Sequence, residues 1–189
     1  MKGLLITAII ASIVTVPVVA ANNTPASDSR ITYVGRTLAQ DGNVSFDWSS
    51  TYAKITFQGD YLAVRASDTK KDYFNVWIDR EMSADADKVL CINSADTLLT
   101  IVSNADFKKG KKQASHTVII QKRTEADQGR TTFHEFVTDK GLLQAAPVKE
   151  RLIEFVGDSY TCGYGIENSI SRNRYTPETQ NTSKTYCAL

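Results

Sequence analysis

From Ile31 to Thr138 the chain alternates short runs of β-branched and aromatic residues with turn residues. No stretch carries the three-to-four-residue apolar spacing of a long amphipathic helix. Ala53, Ile55 and Phe57 share one register, while Tyr52, Lys54, Thr56 and Gln58 occupy the other. Phe74, Val76 and Ile78 oppose Tyr73, Asn75, Trp77 and Asp79 in the same way. Successive strand residues point to opposite faces, so this pattern predicts antiparallel sheets with one buried and one wet face. The expected strands are Ile31 to Val34, Val44 to Trp48, Ala53 to Phe57, Tyr61 to Ala66, Tyr73 to Asp79, Lys88 to Ile92, Thr97 to Val102, His116 to Lys122 and Thr131 to Val137. Turn signals at Asp41-Gly42-Asn43, Gly59-Asp60 and Lys109-Gly110 fall at the spacing of a sandwich. The prediction is a jelly-roll-like all-β sandwich over residues 30–146, large enough to bury its own core.

The pattern changes after Pro147, which disfavours helix at Ala146 and marks a boundary. Leu152-Ile153-Glu154-Phe155-Val156 is a nearly continuous apolar run, as expected of a parallel strand buried on both faces. It leads into Gly157-Asp158-Ser159-Tyr160-Thr161-Cys162-Gly163-Tyr164-Gly165, which reads as a tight turn presenting a serine hydroxyl at the carboxyl edge of a sheet. On these residues alone Asp158-Ser159 also fits an ordinary Asx turn. A polar, helix-poor stretch from Glu167 to Asn181 follows, and Thr182 or Ser183 is placed to cap a further helix. One strand and part of a crossover cannot bury their own apolar faces. Residues 147–189 are therefore expected to be the truncated start of an α/β domain, either completed by another chain or belonging to a longer protein.

Residues Met1 to Ala21 have Lys2, an apolar run from Leu4 to Val19 and small residues at the exit, the layout of a secretory signal. Export is expected, with no membrane attachment after cleavage. The formal charge of the 189 residues is +1, and acidic and basic residues are interspersed, which argues against nucleic acid and for an uncharged partner. The run Lys108-Lys109-Gly110-Lys111-Lys112 reads as a solvated turn. Cys91, Cys162 and Cys187 are an odd count that implies no disulfide framework. Cys162 is expected to be a small packing residue rather than the nucleophile. No Cys/His cluster has metal-ligand spacing, so neither a metal nor another cofactor is called for. His116 and His134 fall on sandwich strands and are expected at the sheet surface or an interface, away from catalysis. Trp48 and Trp77 offer flat rings that stack on sugars or pack in a core, and Trp77, on the polar register of its strand, is the candidate substrate-binding residue.

Gly157-Asp158-Ser159 after an apolar strand resembles the first block of the SGNH (GDSL-like) hydrolases. The longer string Ile153 to Gly165 is similar to carbohydrate esterase family 2. His116-Thr117-Val118, Lys122-Arg123-Thr124-Glu125-Ala126, Thr132-Phe133 and Gly141-Leu142-Leu143 resemble that family's sandwich domain. Tyr175-Thr176-Pro177-Glu178-Thr179-Gln180-Asn181 resembles the segment leading to its next helix. The resemblance implies a serine esterase that deacetylates xylan, mannan or glucan polysaccharides, and the chain is separately expected to be monomeric. It makes Ser159 the nucleophile and, through its backbone N–H, an oxyanion donor, with Asp158 supporting the turn. The family's other oxyanion donors, a Gly and an Asn, and its late catalytic His have no matching positions, so this chain is expected to be inactive alone. A non-catalytic carbohydrate-binding sandwich and a lipid or thioester hydrolase are the competing readings.

Overall fold

A computed structural model describes residues 21–93, 95–107, 114–145, 147, 151–169 and 174–188. Apart from Ala21, the expected signal segment lies outside the described residues, as does the basic run Lys108 to Lys112. No helix among the described residues is long and apolar enough to cross a membrane.

The strands are β1 (Asn22–Pro25), β2 (Thr32–Val34), β3 (Leu38–Gln40), β4 (Asn43–Phe46), β5 (Tyr52–Gln58), β6 (Leu62–Asp68), β7 (Asp72–Ile78), β8 (Lys88–Ile92), β9 (Thr97–Val102), β10 (Ser115–Lys122), β11 (Thr131–Thr138) and β12 (Leu142–Leu143). They form a sandwich of two antiparallel sheets. The first runs β3-β4-β11-β6-β9, with β1 also paired to β11; the second runs β12-β5-β10-β7-β8, with β2 also paired to β5. Every strand expected from the alternation is present. The additional strands β1, β3 and β12 are short and have little pattern of their own; they form because β11, β4 and β5 offer them free hydrogen-bonding edges. β1 places the start of the sandwich at Asn22 rather than near residue 30.

The inner faces of β5 and β7 are those the alternation predicted, whereas on β11 a register shift between Phe133 and Glu135 turns Phe133 and Phe136, of opposite parity, to the same side. Ala53, Ile55, Phe57, Phe74, Val76, Val118 and Ile120 from the second sheet meet Val44, Phe46, Leu62, Val64, Ala66, Phe133 and Phe136 from the first. Phe133 packs edge-to-face on Phe46 at 5.0 Å and on Phe136 at 5.7 Å between ring centroids. Each buried Val, Leu, Ile or Phe side chain here contributes about 1.5–3 kcal/mol.

The expected wet face of β7 is a different matter. Tyr73, Asn75 and Trp77 are 8%, 1% and 0% exposed. Trp77 is covered from the loop after β7, its indole N–H donating to the Asp85 carbonyl at 3.1 Å, and Tyr73 and Asn75 are covered by residues 178–183. The sugar-stacking role expected of Trp77 is therefore corrected: a fully buried ring has no face to offer a ligand.

The expected strand at Leu152 to Val156 is also absent. Leu152, Ile153 and Val156 are 74%, 73% and 92% exposed, and the segment pairs with no strand among the described residues. An apolar run becomes a strand only when a neighbouring edge satisfies its N–H and C=O groups. Here it is held by side chains alone, Glu154 to Arg36 at 2.9 Å and Phe155 edge-on to Tyr186.

Candidate functional site

Ser159 opens a one-turn helix, α1 (Ser159–Cys162), at the tip of the Gly157-Asp158-Ser159 turn. Asp158 is its N-cap: its side chain accepts from the Tyr160 N–H at 3.0 Å, and its carbonyl accepts from Thr161 and Cys162. Gly163 ends the turn in the left-handed region at φ 74°, which lets the Tyr164 N–H close back on the Ser159 carbonyl at 2.9 Å. The glycine is also needed for space, because a Cβ here would come within 2.5 Å of the Asn181 carbonyl oxygen. Ser159 itself is exposed, and among the described residues its N–H and hydroxyl have no partner.

The turn rests on the segment 175–185, and that segment rests on the outer face of the second sheet. Gln180 donates to the Cys162 carbonyl at 3.3 Å, and the Asn181 N–H donates to the Gly163 carbonyl at 3.2 Å. Gln180, Asn181, Thr182, Ser183 and Thr185 are all buried despite being polar. The sandwich supplies their partners. Asn75 donates to Asn181 Oδ1 at 2.9 Å and to Ser183 Oγ at 2.8 Å, Ser183 donates to Gln121 at 2.5 Å, and Ser50 bonds Thr182 at 2.8 Å. Arg123, itself buried, donates to the Gln180 carbonyl at 2.9 Å and the Glu178 carbonyl at 3.2 Å and pairs with Glu167. The helix expected to be capped by Thr182 or Ser183 is instead a pair of 3₁₀ turns, Thr182–Lys184 and Tyr186–Ala188. The first is capped by Asn181 through the Ser183 N–H.

Sequence reasoning missed Asn75, Gln121, Arg123 and Asn181 as the residues that hold the Ser turn. The one local signal was the polar register of β7, which read equally well as a solvated face.

Cys162 packs beneath the turn with its Sγ 3.6 Å from Glu125 Oε2. Burial first, then the neighbouring Glu125 carboxyl, pushes its thiol up to about 11, so at neutral pH it is no thiolate nucleophile. Cys91, Cys162 and Cys187 are all free. His116, expected at the sheet surface or an interface, is buried within the sandwich against Phe57 and Phe107. Its Nδ1 lies 2.6 Å from Asp79 Oδ2 and its ring stacks on Phe107. His134 sits at a register shift in β11 and is held by Ser67 at 2.9 Å and Asn43 at 2.8 Å. Neither histidine is bonded to the Ser turn.

Two carboxylates tie the docked segment down. Hydrogen bonds from Lys71, then Tyr73, hold the Glu178 carboxyl down at about 2. Burial alone would raise Glu167, but the Asn181 amide and the Arg123 guanidinium outweigh it and hold the carboxyl below its usual range. A carboxylate depressed in the folded state contributes stability that is complete above its ordinary value near 4.5 and is lost as pH falls through the folded one. Acidification from about pH 4.5 to 2 is expected to free the Tyr164 and Asn181 amides for hydrogen exchange before those of β10. Simultaneous loss of protection would mean that these carboxylates do not hold the segment.

A β-sandwich bearing a capped Ser turn on one outer face defines a recognisable class of protein. Residues 33–147 match the family model "Carbohydrate esterase 2 N-terminal", and the chain belongs to that family. It is 30% identical over 171 residues to the cellulase/esterase CelE of Acetivibrio thermocellus, a match covering 89% of this chain and 20% of that protein. It is 26% identical over 128 residues to an acetylxylan esterase/glucomannan deacetylase of Cellvibrio japonicus, covering 67% of this chain and 32% of the relative. A solved family two carbohydrate esterase from Clostridium thermocellum, in complex with cellohexaose, superposes with a TM-score of 0.73 at 28% identity over 84% of this chain and 46% of that one. The chain thus spans a third or less of the curated relatives it matches.

Proposed function

We propose that this chain is part of an exported serine esterase that removes acetyl groups from a plant-wall polysaccharide, xylan or a related hemicellulose, with Ser159 as nucleophile. The observation that carries the reading is the exposed Ser159 at the start of a turn capped by Asp158 and anchored to the sandwich through Gln180 and Asn181. Residues 147–189 are read as the beginning of an SGNH hydrolase domain, and Met1 to Ala21 as a cleaved signal.

In the proposed reaction the Ser159 oxygen attacks the acetyl carbonyl carbon while a base takes its proton. The resulting oxyanion is held in part by the Ser159 N–H, the sugar hydroxyl leaves with a proton, and water then releases acetate. His116 and His134 are committed to Asp79 and to Ser67 and Asn43, so the base is assigned to a group outside these 189 residues. The competing reading of a free-standing binding sandwich is weakened by the second sheet, whose outer face is occupied by the segment that carries the Ser turn.

The test is acyl-chain selectivity of the esterase polypeptide containing residues 22–189. Acetate release from acetylated xylan or glucomannan is expected to exceed release of butyrate or longer acids from matched esters by at least about tenfold, an energy difference of about 1.4 kcal/mol. Preference for the longer chains would point to a lipid or thioester hydrolase instead.

A further inference from the structure

We propose that Trp48 is a sugar-stacking platform that carries the polysaccharide site from the Ser turn onto the sandwich. The proposal rests on the esterase reading and adds a second contact for its substrate. Of the two tryptophans, Trp77 is fully buried whereas Trp48 is 56% exposed. A lone exposed apolar residue needs no explanation; what distinguishes this one is how it is held.

The loop between β4 and β5 that bears Trp48 is fastened on several sides. Asp47 accepts from Arg130 at 3.0 and 3.1 Å, the Ser50 N–H donates to the Lys122 carbonyl at 2.9 Å, and the Ser50 hydroxyl bonds Thr182 of the docked segment. The Arg36 guanidinium lies over the indole, 5.9 Å from its centroid, and is bonded in turn to Glu154 on the segment that leads to Ser159. Glu154 precedes Ser159 by five residues, at most about 17 Å of extended chain, so the contacts from Trp48 through Arg36 to Glu154 join the ring to the segment that carries the nucleophile.

The charge around the ring selects the ligand. Arg36 pairs with Glu154 and Arg130 pairs with Asp47, so both guanidiniums that hold the ring and its loop are opposed by a carboxylate. A flat apolar face flanked by neutralised polar groups suits a neutral, hydroxyl-rich polymer whose rings are apolar on their faces and polar at their rims. The ligand is therefore a neutral polysaccharide with its acetylated unit at Ser159 and a more distant unit of the same polymer on Trp48.

The experiment is an intrinsic-fluorescence titration of the chain with xylohexaose and with soluble acetylated glucomannan. Since Trp77 is buried, an exposed-tryptophan response reports Trp48. Saturable quenching is expected, weakened about tenfold or more in Trp48→Ala, partly retained in Trp48→Phe, and unaffected by Trp77→Phe. Equal binding by Trp48→Ala, or a flat titration with both sugars, would overturn the proposal. In the longer esterase polypeptide, acrylamide must still quench Trp48; full protection would show it to be packed against another domain and would equally overturn it. There the ratio of kcat/KM on acetylated polysaccharide to that on an activated acetate ester is expected to fall about tenfold in Trp48→Ala. Absence of turnover on both substrates would instead count against the esterase reading, leaving Trp48 to be judged by the titration.

Discussion

Ser159→Ala is expected to lower acetate release by the esterase polypeptide on the order of 10⁶-fold in kcat, the scale of removing a serine nucleophile that acts as a unit with its base. Folding and the Ser-turn contacts should remain intact, because the Ser159 hydroxyl has no partner among the described residues and the turn is held by other atoms. Asp158 caps it, Gly163 closes it, and Gln180 and Asn181 anchor it. Measured kcat on acetylated xylan, with the melting temperature as control, separates loss of the nucleophile from loss of the fold. Activity within tenfold of wild type would show that Asp158-Ser159 is only an Asx turn. Activity lost together with the fold would place Ser159 in the scaffold instead.

Lys122→Met is expected to cost about 3–5 kcal/mol, the range for breaking a buried ion pair from one side. Lys122 and Asp72 side chains are both wholly buried and 2.5 Å apart, at the end of the core. Burial pushes the Asp72 carboxyl up to about 6 in spite of the Lys122 ammonium. Without that ammonium the carboxyl would have to take a proton near neutral pH or remain as an unpaired buried charge. The Lys122 ammonium also donates to the Thr124 carbonyl and hydroxyl and to the Glu125 carbonyl at 3.2–3.3 Å, so its loss strips several acceptors at once. For a chain of this size the melting temperature should fall by roughly 10 °C. The double variant Lys122→Met with Asp72→Leu should recover most of that, since an apolar pair of similar volume is often no less stable than the ions it replaces. A single variant within 1 kcal/mol of wild type would refute the account. The pair also bears on the site, because Lys122 is followed directly by Arg123, which grips the docked segment, and by Glu125 against Cys162.

The resemblance of the Gly157 to Gly165 string and of the sandwich motifs pointed to the family that the matched residues show. The buried polar seam between Asn75, Gln121, Arg123 and residues 178–183 was not legible. Its members are Asn, Gln, Ser, Thr and Arg, which are mostly exposed in proteins, and they meet across sequence separations of more than fifty residues.

By itself the sequence determined what is local. Period-two alternation set the strands and, where no register shift interrupts them, their inward faces, since a side chain's face follows its parity along a regular strand. The Gly-Asp-Ser string likewise set a capped turn, since Asp158 and Gly163 act on backbone groups a few residues away. The tertiary structure decided everything that needs a second partner. It determined that β1 and β3 are strands, that Leu152 to Val156 is not, that the polar face of β7 is buried, and that Trp48 rather than Trp77 meets the solvent. A strand exists only where another edge completes its hydrogen bonds, and an outer face is wet only where no distant segment covers it. Parity along one strand carries neither fact.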